Sequence, residues 1–205
     1  MNTIPKTNQI KIIVTFVIVA SIITLMVLFR EQLFKVNTNI SDNERFFKEY
    51  SGVSVDNVFK YTTTKEVIEL FKAEEAIVFF GFKECKWCQS YAPMLNDFAK
   101  ENNVDTIYYV DIKSDRANNT EEYQALVKLL DSYLSDDDNG NKRIYVPDVY
   151  FVKDGKILGH NNDTSKEEGA DIDKYYEENG DALKEKINKL FSKMDNKCDD
   201  SSKGC

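Results

Sequence analysis

Two cysteines separated by two residues have the clearest chemical potential in this sequence. Cys85 and Cys88 follow an apolar run at residues 76–82 and stand at the start of a helical pattern. The N-terminus of a helix carries unpaired N–H groups and a partial positive charge, which favour a thiolate over a thiol. Cys88 comes one helical turn after Cys85, close enough to close a small disulfide ring. A pair of this kind beside a strand–helix unit is typical of a thiol–disulfide redox site.

Two other uses of the cysteine pair stay open on residue types. A zinc site needs four ligands, and the chain adds only His160, Cys198 and Cys205, at spacings unlike those of zinc sites. A structural disulfide or a buried thiol pair is the other alternative, although the residues between the cysteines, Lys86 and Trp87, do not suggest a closed core. The redox interpretation accounts best for the motif and its position, and it requires neither a metal nor a cofactor.

Charged and aromatic neighbours are expected to modulate the site. Lys83 and Lys86 favour the Cys85 thiolate, whereas Glu84 opposes it. The Trp87 side chain could stack on a substrate, shield the second cysteine, or simply pack against the domain.

The residues around the two cysteines resemble the thioredoxin superfamily, over about residues 41–196. Residues 89–98 resemble the active-site helix of that family, with Pro93 five residues after the second cysteine. Residues 145–157 look like its cis-proline strand followed by a hairpin with a glycine turn. Within the superfamily, residues 80–89 and 145–156 are similar to membrane-tethered Gram-positive proteins that are described as bacteriocin transport accessory or bacteriocin-maturation disulfide isomerase proteins.

The resemblance implies roles for individual residues. Cys85 would attack a substrate disulfide, and Cys88 would then displace the substrate. The Val146–Pro147 bond would be cis and would face the cysteines, so that the Val146 backbone can pair with an extended substrate. Phe79 stands where thioredoxin carries a buried aspartate implicated in proton transfer, which puts a general-purpose reductant in doubt and leaves oxidase or isomerase chemistry open. Deprotonation of the second cysteine would then depend on water, Lys83 or Glu84.

Apolar periodicity predicts an α/β fold with a central mixed β-sheet and helices on both faces, and the resemblance implies that this fold is thioredoxin-like. Strands are expected at residues 58–61, 76–82, 106–112, 144–152 and 156–158. Helices are expected at residues 45–50, 65–72 with Thr64 as the cap, 85–101, 121–134 and 181–191. Residues 136–141 are expected to form a solvated loop, since the calcium-loop alternative lacks a closing glutamate. Residues 161–180 are also expected to form a solvated loop, with contact to a substrate or partner as the alternative.

The N-terminal part contains an apolar run at residues 12–29, long enough to cross a bilayer. A cleaved signal peptide and a buried core helix are the alternatives, but the run is long, apolar on all sides and lacks a convincing cleavage site. The expected organisation is a short cytoplasmic N-terminus (1–11), a transmembrane signal anchor (12–30), a linker (31–40), a thioredoxin-like domain (41–196) and a cysteine-containing tail (197–205). The short N-terminus and the acidic remainder favour a single-pass cell-membrane protein with its catalytic domain outside the cytoplasm.

Charge and the tail cysteines complete the sequence picture. The net charge of −8, with 27 lysines and arginines, argues against nucleic-acid binding. Cys198 and Cys205 would pair with each other in an oxidising compartment, exchange with the active pair as a shuttle, or lie in a disordered tail.

These observations predict a membrane-anchored thiol–disulfide oxidoreductase that acts on exported peptides or proteins with cysteines, with a membrane redox partner possible. A reductant fed by a membrane electron carrier is one alternative. A non-catalytic adaptor that holds a transporter or a peptide is another. The direction of electron flow depends on reduction potentials that residue types do not determine.

Overall fold

The computed structural model describes residues 21, 24, 40–73, 75–165, 167 and 169–194. Apart from Ser21 and Thr24, the predicted membrane anchor at residues 12–30 lies outside the described residues, as does the predicted tail at 197–205. Among the helices that are described, none has the length and apolar character needed to cross a membrane. The elements discussed below belong to a compact unit that begins at Asp42.

Five of the seven described strands form a central mixed sheet in the order β1-β3-β2-β6-β7. β3 pairs in parallel with β1 and β2, whereas β6 pairs antiparallel with β2 and β7. The short strands β4 and β5 form a separate hairpin. The strands are β1 (Phe59–Tyr61), β2 (Glu75–Gly81), β3 (Ile107–Asp111), β4 (Ser135–Asp136), β5 (Lys142–Arg143), β6 (Asp148–Lys153) and β7 (Lys156–Asn161).

Six described α-helices cover the two faces of the sheet. Side chains from α1, α3 and α6 share one core layer, and side chains from α2 and α5 share the other. The predicted mixed sheet with helices on both faces is therefore confirmed. The helices are α1 (Asp42–Glu49), α2 (Thr64–Leu70), α3 (Lys86–Glu101), α4 (Lys113–Asn118), α5 (Glu121–Leu130) and α6 (Ile172–Met194), with a 3₁₀ turn at Asp131–Tyr133.

The central strand β2 connects the two core layers and ends at the cysteine motif. Phe79 and Phe80 point to opposite faces because side chains alternate along a strand, and both are fully buried. Gly81 ends the strand, and a Cβ atom there would lie 3.1 Å from the Tyr50 hydroxyl oxygen. The missing side chain thus allows α1 to pack closely beside the point where the chain leaves the sheet and turns toward Cys85.

The predicted cap of α2 is wrong by one residue. Thr63, not Thr64, is the N-cap: its hydroxyl accepts from the Glu66 N–H (3.2 Å), and the Glu66 carboxylate accepts from the Thr63 N–H (3.0 Å). A reciprocal capping box requires a glutamate three residues after the cap, and only Thr63 has that spacing. Thr64 is instead buried, with its hydroxyl donating to Asp115.

The polar stretch at residues 161–180 is not a loop throughout, because α6 begins at Ile172 rather than at residue 181. Tyr176 is buried, and Ile172 and Tyr175 pack partly buried against the same core layer. Burial of these three apolar side chains stabilises the first turns of the helix in spite of their acidic neighbours. Residues 162–165, 167 and 169–170 lie outside regular helices and strands.

The structure differs from the predicted elements in four smaller ways. α4 was not predicted, because it has no buried side chain and therefore no apolar pattern. α5 ends at Leu130 and continues as the 3₁₀ turn, and β6 begins at Asp148 rather than at residue 144. Residues 137–141 form the turn of the β4–β5 hairpin, in which the Asp137 carboxylate accepts from the backbone N–H groups of Asn139 and Asn141 (both 2.9 Å).

Replacement of the α2 cap tests the corrected boundary. Thr63→Ala removes the side-chain acceptor at the helix N-terminus and should lower the free energy of unfolding by about 1 kcal/mol. Urea unfolding followed by circular dichroism measures the change. The exposed Lys65→Ala is the matched control, with an expected change within about 0.5 kcal/mol. Equal stability of Thr63→Ala and the unaltered protein would contradict the assignment.

Candidate thiol–disulfide site

Cys85 and Cys88 form a disulfide at the N-terminus of α3, with their Cα atoms 5.2 Å apart. Cys85 is the N-cap residue, and its Sγ accepts from the backbone N–H of Cys88 at 3.1 Å. Cys85 is partly exposed, whereas Cys88 is fully buried in the core layer that contains Phe79 and Ala92. The two sulfurs therefore differ in access to solvent, and the positive end of the helix is directed at the accessible one.

The loop before β6 faces the accessible sulfur. The Val146 carbonyl oxygen lies 3.8 Å from Cys85 Sγ, and the Val146–Pro147 bond is cis. Asp148 lies opposite Phe80 in the β2–β6 pairing, so the residues before Asp148 run alongside the residues that leave β2. In the dithiol form the Cys85 thiol could donate to this carbonyl. The sheet register thus brings together the cysteine motif and the predicted substrate-binding residues, Val146 and Pro147.

Helix α4 and helix α5 hold this loop at its first residue. The Arg116 guanidinium donates to the Ile144 carbonyl (3.1 Å), and the Tyr123 hydroxyl accepts from the Ile144 N–H (3.3 Å). The same guanidinium lies over the Phe82 ring, 5.1 Å from its centroid. Burial and the nearby Arg143 charge lower the pKa of Arg116. The unpredicted helix α4 therefore connects the loop that precedes Pro147 with the loop that precedes Cys85.

Gln89 ties the end of α1 to the cysteine motif. Its side-chain amide donates to the carbonyls of Glu49 (2.8 Å) and Lys83 (2.6 Å), and its carbonyl accepts from the Ser51 N–H (2.9 Å). All three of these hydrogen bonds are made to backbone groups, so the Gln89 side chain restrains the backbone on either side of the site. Sequence reasoning missed this role, since a glutamine one residue after the motif gives no signal of its own.

Trp87 packs against the first turns of α6. Its ring lies edge-on to Tyr175 (5.3 Å between centroids) and to Tyr176 (5.5 Å), and it remains partly exposed. The packing role considered for Trp87 is thus present, and the exposed part of the ring stays available to a substrate. The helix that sequence reasoning took for a loop forms one wall beside the cysteines.

The three charged neighbours lie at the surface around the motif. Lys83 and Lys86 are exposed, and the Glu84 carboxylate pairs with Lys113 at 3.2 Å. Hydrogen bonding to its own backbone N–H and the pairing with Lys113 lower the pKa of Glu84. Within the part of the chain that is described, none of the three side chains hydrogen-bonds a cysteine sulfur. Their effect on the thiolate is therefore through space and is screened by solvent.

A buried acid–base pair stands next to the proline loop, and sequence reasoning did not predict it. Asp148 follows Pro147 directly, is fully buried, and contacts the His160 Nδ1 at 2.9 Å. The available signal was an aspartate at the start of an otherwise apolar strand. His160 had been considered only as a lone metal ligand, and the described residues contain no cluster of three or more acidic, cysteine or histidine side chains placed to hold a metal. Cys198 and Cys205 lie outside the described residues.

No family model and no curated protein matches this chain. Among solved structures it is similar to thioredoxin O1 from Arabidopsis thaliana in the oxidised state, with 18% identity, coverage of 61% of this chain and 97% of that chain, and a TM-score of 0.35. A thioredoxin from Trypanosoma brucei brucei shows 14% identity, 66% and 91% coverage, and a TM-score of 0.39. Thioredoxin F from spinach chloroplast in its long form shows 19% identity, coverage of 62% of this chain and 87% of that chain, and a TM-score of 0.35. Likenesses with identities and TM-scores this low do not assign a function.

Differential alkylation tests the unequal exposure of the two sulfurs. In the reduced protein Cys85 should react with iodoacetamide before Cys88. Its side chain is partly exposed, and its sulfur accepts a hydrogen bond from a backbone N–H of the helix, which favours the reactive thiolate. Mass spectrometry of peptides quenched over time gives the two rates. The variants Cys85→Ser and Cys88→Ser provide each rate in isolation. Equal rates, or a faster reaction at Cys88, would reverse the assignment.

Proposed function

We propose that this domain is a thioredoxin-like thiol–disulfide oxidoreductase that works through Cys85 and Cys88. The observation that carries the proposal is the disulfide at the N-terminus of α3, with one sulfur accessible and facing the Val146 carbonyl. The mixed sheet supports it, because the antiparallel pairing of β2 and β6 brings the motif and the cis-proline loop to the same end of these two strands. A purely structural disulfide would not need an accessible sulfur opposite the backbone carbonyl of a cis-proline loop.

The oxidised form can accept two electrons from a substrate dithiol. A substrate thiolate attacks Cys85 Sγ, the Cys85–Cys88 bond breaks, and Cys88 leaves as a thiolate that takes up a proton. The second substrate thiolate then attacks the substrate sulfur of the mixed disulfide, and Cys85 leaves as a thiolate. The substrate gains a disulfide and the protein becomes a dithiol. The same steps in reverse reduce a substrate disulfide.

The surroundings of each cysteine support this division of roles. The Cys88 N–H and the helix N-terminus stabilise negative charge on the Cys85 sulfur, which suits it as nucleophile and as leaving group. Cys88 lies among apolar side chains, and burial disfavours its thiolate. The Val146 backbone can pair with an extended substrate segment that presents its cysteine to Cys85.

Phe79 bears on the direction of the reaction. Its ring is fully buried on the face of the sheet against which Cys88 packs, so no carboxylate from this position can remove a proton from Cys88. A reductant needs Cys88 as an attacking thiolate in every turnover. An isomerase or an oxidase can let substrate thiols resolve the mixed disulfide instead. We therefore favour disulfide isomerase or oxidase chemistry.

Cellular location and substrate are part of the proposal. The apolar run at residues 12–29 supports a membrane anchor, with the domain outside the cytoplasm. Such a location suits a disulfide enzyme for exported peptides or proteins with cysteines, reoxidised or reduced by a membrane redox partner. The further resemblance to proteins of the bacteriocin transport accessory and maturation type suggests exported antimicrobial peptides as substrates.

Cell fractionation tests the anchor. The full chain should sediment with membranes and keep its first residues, since the apolar run is long enough to span the bilayer. Protease added to intact protoplasts should remove the domain. Recovery of a soluble protein that begins near residue 22 would show cleavage instead.

Single cysteine variants test the catalytic roles. Cys85→Ser should reduce exchange with a model disulfide peptide to the background rate, because the accessible nucleophile is gone. Cys88→Ser should accumulate a mixed disulfide at Cys85, which mass spectrometry identifies together with the captured substrate. The reference is the reduced unaltered protein, since loss of a four-residue disulfide ring alone costs about 2 kcal/mol in the chain-entropy account.

The tail cysteines provide the matched control. Cys198→Ser combined with Cys205→Ser should leave exchange unchanged if the tail takes no part, and loss of turnover would indicate a shuttle. Full biological activity of a folded Cys85→Ser variant would contradict the enzyme and promote the adaptor.

A further inference from the structure

An acidic side chain without full hydrogen bonding is buried beside the proposed site. The Asp148 side chain is fully buried, and its Oδ1 lies 2.9 Å from the His160 Nδ1. Its Oδ2 and the Tyr150 hydroxyl are both buried without a hydrogen bond of regular geometry in the described residues, although Tyr150 lies close enough to Asp148 to lower the pKa of that carboxyl. A buried carboxylate whose hydrogen bonding is incomplete is unfavourable unless a charged partner offsets the loss of solvation. The charge of this group therefore depends on the protonation of the histidine.

Aromatic rings surround the pair, and its histidine is partly exposed to solvent. The Tyr150 ring stacks on His160 at 4.9 Å, and Tyr133 lies edge-on to His160 at 5.6 Å. The His160 side chain is 21% exposed, so a proton can reach it from water. Asp163, from the loop after β7, also acts on His160, and the Asp148 charge reaches Tyr91 on α3.

The direction of each pKa shift follows from these contacts. Burial raises the pKa of Asp148, although His160 partly opposes the increase. Hydrogen bonding to Asp148 raises the pKa of His160 above 6.5, and the Asp163 charge adds to this increase. Asp163 itself pairs with Lys186 of α6 at 2.5 Å, which weakens its contribution.

Two mechanical connections join the pair to the cysteines. Asp148 follows Pro147, so its position fixes the end of the loop whose Val146 carbonyl faces Cys85. On the other side, Asn161 follows His160 on β7, and its side-chain carbonyl accepts from the Tyr91 hydroxyl at 2.9 Å.

Tyr91 lies on α3, three residues after Cys88. The end of β7 thus contacts both the helix that carries the cysteines and the strand that carries the proline loop.

We propose that Asp148 and His160 are a proton-linked positioning pair, which holds the Val146–Pro147 loop against Cys85 and makes exchange respond to the charge of His160. The inference rests on the thiol–disulfide function proposed above and adds its regulation. The charged pair holds the loop in the described position. Loss of the His160 proton leaves a buried carboxylate beside a neutral ring and weakens that restraint.

The sign of the pH effect follows from the raised pKa of His160. Stabilisation from the ion pair is present below about 6.5, the ordinary histidine value, as long as Asp148 stays ionised. It is lost as the pH rises through the folded-state pKa of His160, which lies above 6.5. The exchange rate per Cys85 thiolate should therefore fall across that interval, while the thiolate fraction itself rises.

The first test needs no variant, because His160 is the only histidine in the chain. The full chain without a histidine tag, in detergent micelles, gives one imidazole Cε1–H resonance that reports the pKa directly. This pKa should exceed 6.5 and should differ by at least about 0.3 unit, a twofold change in proton affinity, between the disulfide and dithiol forms. The difference is expected because the loop that the pair holds contacts the Cys85 sulfur, and equilibrium coupling between two sites is reciprocal. An identical His160 pKa in both forms would overturn the proposal.

The second test separates positioning from packing. His160→Gln keeps an N–H donor for Asp148 but cannot gain a proton, so the pH step in the thiolate-normalised exchange rate should disappear. The alkylation profile of Cys85 should stay unchanged. Tyr133→Phe is the matched control, because it removes only a hydroxyl beside the same ring, and its step should remain. A step that persists in His160→Gln would overturn the proposal.

Failure of the proposed function would look different from failure of the inference. A His160 pKa that depends on the redox state, in a protein without exchange activity, would support the coupling and reject the enzyme. Exchange at Cys85 without any redox dependence of that pKa would support the enzyme and reject the coupling. Asp148→Asn should lower the His160 pKa and abolish its redox dependence, and retention of that dependence would contradict the assigned partner.

Discussion

The antiparallel pairing of β2 with β6 is the constraint on which the site depends. Phe80 lies opposite Asp148, so the chain that leaves β2 toward Cys85 runs beside the chain that enters β6 from Pro147. A slip of one residue would reverse which side chains of β6 enter each core layer, and it would also move the Val146 carbonyl away from the sulfur. Dense aromatic packing on both faces, with Phe79 in one layer and Phe80 in the other, makes such a slip costly. The geometry of the two loops is thus a consequence of the core.

The same core determines what chemistry the buried cysteine can use. Phe79 contacts the rings of Tyr91 and Tyr109, and the Tyr109 hydroxyl shares a hydrogen bond with Tyr50 at 2.8 Å. Burial raises the pKa of Tyr109 well above its ordinary value, so neither hydroxyl ionises near neutral pH. The layer around Cys88 is therefore apolar and electrically neutral. Such an environment suits a cysteine that stays protonated while another thiol resolves the mixed disulfide.

Sequence patterns predicted the parts of the fold that depend on strong local signals. The continuously apolar β2, the cysteine motif at a helix N-terminus and the Asp154–Gly155 hairpin turn all follow from residue type and spacing. The start of α6 was missed because its stabilisation comes from long-range contacts with Trp87, and these contacts leave only a weak pattern among acidic residues. The Gln89 restraint and the Asp148 partner were missed for a similar reason, since both depend on residues distant in sequence.

The Asp148–His160 pair and the disulfide lie on opposite faces of one sheet, and this separation limits how the pair can influence the cysteines. Tyr150 and Phe80 share the layer of Asp148, whereas Phe79 shares the layer of Cys88. Direct proton transfer between the pair and the disulfide would have to cross the sheet. A strand whose side chains pack on both faces can instead transmit a shift of position from one face to the other. The strand β7 is suited to this, because in the described sheet it pairs with β6 alone and can adjust without breaking pairing on both sides. A proton on His160 and the redox state of Cys85 would then bias the same short loop from opposite faces, with neither group touching the other.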